Sequence, residues 1–335
     1  MLSITFINVG YGESILIELA AGGSQSVILI DGGSGEDEEY SGDSGRIRTK
    51  DYLAKKNINV LDLAIITHAH EDHICGLEQF VDAGGRIQKL ITIRLLPQNA
   101  QELCADENTS PGTRKFIAAM NSYARLLATL RKQGVPVTEV DAGVDIIPLV
   151  SGLDAQVIAP SFEYAQKLFK RYSDLYNSFQ GPSFMEEADA LSAELNDFSL
   201  ALMLNYQGKK LFFPGDAVPK SLMGDDDFQC MLASGALGTH ILKLAHHGQV
   251  DGVTEEFIKA TSPEIIITCS SSDRRYNSAH PDVYKRIETW LQRKPAYLFT
   301  DNIDIAANTL CRVPHSATII TIGKNNEDEI CMQCE

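Results

Sequence analysis

The chain has 335 residues, 44% of them hydrophobic, enough to bury one large core or two modest ones. Lys and Arg number 29 against 45 Asp and Glu, a net charge of −16, so the average surface repels polyphosphate backbones and disfavours long duplex DNA as a partner. No window approaches the roughly 18 unbroken apolar residues of a membrane span, and Met1-Leu2-Ser3-Ile4 opens without the basic region and apolar core of a secretory leader, so a cytoplasmic protein is expected.

In chain order, residues 2–8, 14–19 and 26–30 are short β-branched runs separated by glycine-rich turns, which predicts an opening meander of strands. The acidic, Gly- and Ser-rich stretch 34–44 predicts a mobile loop. A helix over 45–57 leads to a strand over 60–66, and a second helix over 72–82 begins inside a histidine-rich loop. Residues 113–133 carry Phe116, Ile117, Met120, Tyr123, Leu126, Leu127 and Leu130 at helical spacing, a stripe for core packing that leaves a protein partner as the minor alternative. Residues 162–195 predict one or two helices interrupted by Gln180-Gly181-Pro182-Ser183 and placed as a lid. Strands follow over 210–213, 241–244 and 264–269, then a helix over 281–291 opened by Pro281. Seven cysteines, odd in number and irregular in spacing, read as thiols of a reducing compartment, and the Cys331/Cys334 tail receives no role.

Directly after the 60–66 run, His68, His70, Asp72 and His73 place four metal-capable side chains in six positions, the spacing of a binuclear site. Alternate residues leaving a strand end point two imidazoles into one pocket, and the next turn supplies another pair. Asp31, also at a strand end, is expected to orient a ligand histidine or a loop amide by accepting its hydrogen bond.

The run Thr67-His68-Ala69-His70-Glu71-Asp72-His73 resembles the His-x-His-x-Asp-His signature of the metallo-β-lactamase superfamily. Phe6-Ile7-Asn8-Val9-Gly10-Tyr11-Gly12-Glu13-Ser14, the strand 27–31 ending in Asp-Gly-Gly, Phe212-Phe213-Pro214-Gly215-Asp216 and Lys243-Leu244-Ala245-His246-His247-Gly248 extend the likeness, which is strongest to the ComEC-like hydrolase branch, with phosphorylcholine esterases showing a similar pattern. The resemblance implies a four-layer αββα sandwich of two mixed sheets flanked by helices, formed by one domain over 1–335 with helical insertions near 97–134 and 161–195. It implies two divalent ions, zinc or manganese: His68 and His70 on the first, Asp72 and His73 on the second, Asp216 bridging and His247 completing the second. His246 is assigned to the substrate phosphate or to the ligands' surroundings, whereas His240 and His315 lack a partner motif.

The sequence departs from the superfamily in one respect. Many members carry a further ligand histidine between the first loop and the bridging aspartate, yet no histidine occurs from 74 to 239. In the branch it resembles, that region reads like Asn196-Asp197-Phe198-Ser199-Leu200, so water, a substrate oxygen or Asp197 is expected to fill the coordination position. An open position is what a hydrolase needs. The implied activity is a phosphodiesterase acting on a nucleic-acid, nucleotide or phosphocholine-like substrate, that is, a small-molecule or short nucleic-acid phosphodiester, with Asp72 orienting the attacking hydroxide and His246 or His280 protonating the leaving alkoxide. The alternatives are lactone, thioester or β-lactam hydrolysis on the same scaffold and, third, a non-catalytic metal-binding interaction module.

Overall fold

In the computed structural model, residues 1–42, 44–97, 100–105, 107, 109–140, 146–177, 184–222, 226–323 and 330–335 are described. Two mixed sheets pack face to face with helices on their outer faces, a four-layer αββα sandwich. The first sheet runs, in spatial order, Ile330–Cys334, Ala317–Ile322, Leu2–Ile7, Ile15–Ala21, Ser24–Ile30, Leu63–Ile66, Leu90–Ile93 and Val137–Val140. It is antiparallel as far as Ser24–Ile30 and parallel beyond. The second runs Ala296–Phe299, Ile265–Thr268, Ile241–Lys243, Lys209–Phe213, Ala201–Tyr206, Leu153–Ala159 and Ile146–Val150, parallel over its first four strands.

Strand periodicity explains the layering. Leu211 and Phe213 belong to the core between the sheets, where Phe213 meets Phe6 edge-on at 6.1 Å. Phe212, one residue away, lies in a second core with Phe257 and Ile287, under helices Glu255–Thr261 and Pro281–Leu291. The strands of the second sheet other than the edge strand Ile146–Val150 thus feed two apolar layers, which requires the near-continuous hydrophobic runs the sequence displays.

The predicted strand over 60–66 is two. Val60–Leu61 pairs with Arg86–Ile87, while Leu63–Ile66 enters the large sheet. Asp62 stands at the break, with its amide donating to the Val27 carbonyl at 2.9 Å and its carboxylate accepting the Val27 amide at 2.8 Å. The helix expected over 45–57 is confined to Thr49–Lys55. The segment 162–195 forms helices Phe162–Asn177 and Phe184–Glu194; the expected interruption at Gln180 to Ser183 lies outside the described residues. The C-terminal tail, given no role above, is an edge strand, and Cys334 forms a disulfide with Cys311. Among the described residues no helix is long and apolar enough to cross a membrane.

The metal-capable residues of the site and Asp31 all follow the carboxyl ends of parallel strands. Ser24–Ile30 delivers Asp31, Leu63–Ile66 delivers residues 67–73, Lys209–Phe213 delivers Asp216, and Ile241–Lys243 delivers His246 and His247. The first two come from one sheet and the last two from the other, so the site sits where the ends of both sheets meet.

Candidate metal centre

The loop 67–70 passes directly into helix Glu71–Asp82, whose first turn carries Asp72 and His73. That helix can lie against the Asp31-Gly32-Gly33 turn only because both surfaces lack side chains: a Cβ on Gly76 would stand 1.9 Å from the Gly32 carbonyl oxygen. His246 and His247 adopt left-handed backbone conformations, φ 47° and 52°, before Gly248. This costs on the order of 1–3 kcal/mol per residue and turns the second imidazole inward.

Six side chains converge at the junction. The imidazole nitrogens His68 Nε2 and His70 Nδ1 face each other at 3.0 Å. Asp216 Oδ2 is 3.4 Å from His73 Nε2 and 3.1 Å from His247 Nε2, and Asp72 Oδ2 is 3.2 Å from His247 Nε2. Two compact trios, His68/His73/Asp216 and Asp72/His73/His247, share His73, so the pocket can hold one or two divalent ions. Although carboxylates stand this close, His73 Nε2 and His247 Nε2 are buried without a hydrogen bond of acceptable direction among the described residues. Their Nδ1 atoms are committed elsewhere, His73 to Asp31 at 2.7 Å and His247 to the Cys269 carbonyl at 2.9 Å. A ring fixed through Nδ1 with Nε2 buried and unsatisfied is the arrangement of a metal ligand. The donor set of imidazole nitrogen and carboxylate oxygen fits a divalent ion.

The charges in the pocket divide in the same way. Burial, reinforced by neighbouring imidazoles, holds His68 well below the usual histidine value, and burial likewise lowers His70. At His73 and His247 burial is outweighed by Asp216, with Asp72 and other acidic groups adding to it; His73 is pushed well above its ordinary value and His247 to about 9. Burial opposes ionisation of Asp72 too, but His73 and His247 bring it down to about 2.

Asp31 accepts from both a histidine and a loop residue. Besides His73 it accepts the Thr67 amide on Oδ1 at 2.8 Å and the Thr67 hydroxyl on Oδ2 at 2.6 Å. Asn196 reaches the cavity and places Nδ2 3.1 Å from His246 Nε2. Asp197 does not fill the open position. The 3-10 turn Leu195–Phe198 sends successive side chains in different directions, and Asp197 accepts from Ser221 beside a separate groove. Ser199 Oγ and Thr67 Oγ1 support His68, each 3.1 Å from Nδ1. His280 also stands apart: its Nδ1 accepts the Asp282 amide at 3.3 Å and caps helix Pro281–Leu291, and it does not line the cavity. His246 does line it, with Nδ1 3.1 Å from both oxygens of Asp251.

The cavity above the cluster measures about 410 Å³. Asp72 and Asp216 lie on its floor, and Tyr11, Arg275, Tyr276, Lys115 and Phe116 form walls. The last two come from helix Pro111–Lys132, the first inserted segment, whose apolar stripe is buried as core. Helix Phe184–Glu194 contributes Ser192, whose carbonyl oxygen is 3.2 Å from His70 Nε2. Tyr11 packs its ring 4.4 Å from that of His247, and burial, then Asp72 and Asp216, keep its hydroxyl un-ionised. Lys115 was not readable as a site residue, since it has no spacing that announces chemistry, and Tyr11 and Ser199 stand inside recognisable motifs without a readable role. Lys243 and Glu13 were readable in part: both lie inside the quoted motifs, and a lysine within Ile241-Leu242-Lys243-Leu244-Ala245 is an ionic interruption in a buried strand. A third trio of metal-capable residues, Cys311/His315/Cys334, lies at the C-terminal edge strand, where the two cysteines are already joined.

Residues 7–89 match the Metallo-beta-lactamase superfamily. The matched stretch is about a quarter of the chain and includes His68, His70, Asp72 and His73. It is 23% identical over 295 residues to ComE operon protein 3 of Bacillus subtilis (strain 168), covering 85% of this chain and 30% of that protein, so it spans about a third of the curated relative's length. Among solved structures it is similar to a diphosphatase of the PhnP family, at 11% identity and TM-score 0.41 over 90% of this chain and 95% of that one. It is also similar to the β-lactamase-superfamily hydrolase AbOPH, at 14% identity and TM-score 0.36 over 67% and 68%.

Proposed function

We propose that this protein is a member of the metallo-β-lactamase superfamily and a binuclear metal-dependent phosphodiesterase acting on a small-molecule or short nucleic-acid phosphodiester. The observation that carries the reading is the pair of buried, unsatisfied Nε2 atoms of His73 and His247 beside Asp72 and Asp216, on the floor of a cavity with Lys115 and Arg275 in its walls. Zinc or manganese held there by His68, His70, Asp72, His73, Asp216 and His247 supplies Lewis acidity and lowers the pKa of water.

The chain's own groups supply the rest. Lys115 and Arg275 attract the anionic substrate into a cavity that is otherwise acidic; Lys115 shares Glu36 at 2.9 Å and Arg275 pairs with Glu39, so each cation is held in place before substrate arrives. Phe116 and Ala119 cover one side and exclude solvent. Asp72 faces both the cavity and His247 and orients the attacking water. His246 holds Asp251 through Nδ1, and its Nε2 is contacted by the side-chain amides of Asn196 at 3.1 Å and Gln249 at 3.0 Å, so Nε2 exchanges a proton with the leaving oxygen only when substrate displaces those amides. With its Asp282 contact, His280 is left out of this role. Hydrolysis of an uncharged lactone would have no use for Lys115 and Arg275, so these cations favour an anionic substrate over it.

The test is a substrate panel of phosphodiester, phosphomonoester, lactone and β-lactam, assayed with zinc or manganese. An activated phosphodiester is expected to be cleaved best, and Asp216→Ala to lose both metal and rate. Full activity in Asp216→Ala, or preference for the lactone, overturns the proposal.

A further inference from the structure

Lys243 is wholly buried, as is Glu13, and the two form an ion pair inside the protein. Lys243 also donates to the Gly215 carbonyl at 2.8 Å and to Asp216 Oδ1 at 3.3 Å. Glu13 belongs to the loop between the first two strands of one sheet, whereas Lys243 and Asp216 belong to the other. The backbone of Glu13 is fastened to the metal loop, its amide donating to Asp72 O at 3.0 Å and its carbonyl accepting from Gly33 at 2.8 Å.

We propose that Lys243, held by Glu13, is a positioning residue that grips Asp216 by Oδ1 and presents Oδ2 to His73 and His247. Packing alone gives no reason for the pair. Lys243 follows Ile241 and Leu242 in a fully buried strand, where an apolar side chain avoids the desolvation cost of a buried ion pair. The geometry gives a reason. Asp216 and Asp72 both lie within 3.2 Å of one nitrogen, His247 Nε2, and carboxylates crowded in this way repel one another before any metal arrives. A fixed cation on the far oxygen of Asp216 holds it in the ligating orientation and spans the two sheets at the site. Glu13 fixes the cation: among the described residues its carboxylate makes no hydrogen bond of acceptable direction, and its close contact is the Lys243 ammonium.

This inference rests on the metal-centre reading, and the experiment separates the two. Zinc affinity is measured by competition with a chromophoric chelator for wild type, Glu13→Gln, Lys243→Met and the double variant, alongside the unfolding midpoint of each metal-free protein. Lys243→Met alone orphans a buried carboxylate and is expected to lose stability. The double variant removes both charges at nearly constant volume and is expected to regain most of that stability, yet to bind zinc ten- to a hundredfold more weakly than wild type, the usual effect of losing a ligand's supporting partner. Glu13→Gln, the mildest change, is expected to weaken zinc binding in the same direction. Recovery of wild-type zinc affinity with stability in the double variant, or unchanged affinity in Glu13→Gln, overturns the proposal and leaves the metal centre standing. A wild-type protein that takes up no zinc overturns both.

Discussion

Asp31 shows how much one side chain can carry at the residue scale. It has a left-handed backbone, φ 56°, and accepts from the Thr67 amide, the Thr67 hydroxyl and His73 Nδ1. Asp31→Asn keeps the volume but replaces one acceptor with a donor, so one of those three bonds must be lost and the His73 ring loses its fixed tautomer. Metal affinity is expected to fall ten- to a hundredfold, since His73 belongs to both trios; chelator titration of the variant checks this, and unchanged affinity excludes the orienting role. Asp31 was legible in the sequence because it ends a strand beside a recognisable turn. Glu13 and Lys243 stood in equally legible motifs without a readable role, because what defines them is a contact between two sheets.

Helix Glu71–Asp82 and the turn at Asp31 illustrate the element scale. The helix is legible from its apolar spacing, and Gly76 is the residue that lets it dock, with Gly76 N donating to Gly33 O at 2.9 Å. Gly76→Ala adds intrinsic helix propensity but puts a methyl group into backbone. Overpacking of that kind costs about 1–3 kcal/mol, more than the roughly 1 kcal/mol gained. The variant is expected to unfold at lower denaturant and, since this helix carries Asp72 and His73, to bind metal more weakly. A variant at least as stable as wild type would show that the close approach is not maintained in solution. The inserted helix Pro111–Lys132 was legible as a packing element from its stripe of Phe116, Met120, Tyr123 and Leu127, all buried. That its first turns form a wall of the cavity was not legible, because helical spacing gives a face and not a neighbour.

For the whole molecule, metal and protons compete for the same nitrogens. His247 is raised from 6.5 to about 9 in the metal-free protein, so it contributes stability that is complete below about pH 6.5 and is lost as pH rises through about 9. Metal uptake has the opposite dependence, since the proton on His247 must leave. Protein stripped with chelator is therefore expected to show a falling unfolding midpoint between pH 6.5 and 9, and metal-saturated protein a widening advantage over the same range. Free metal at a hundred times its dissociation constant adds about 2.7 kcal/mol. Thermal scans at several pH values, with and without chelator, check both signs; parallel curves would place the titrating histidine outside the metal centre.

By itself the sequence determined the local chemistry: His68, His70, Asp72 and His73 are bound to one another by spacing along a strand end and one helical turn, and no tertiary contact is needed to bring them together. Resemblance added Asp216 and His247, and alternating apolar runs marked many of the strands that deliver them. Only the tertiary structure decided that Asp197 turns away while Ser199 supports His68, that His280 caps a helix, that two insertions wall the cavity, and that Glu13 reaches Lys243 across the sandwich. The reason is physical: backbone periodicity sets the direction of a side chain relative to its own element, whereas its partners depend on how two independently formed sheets are packed together.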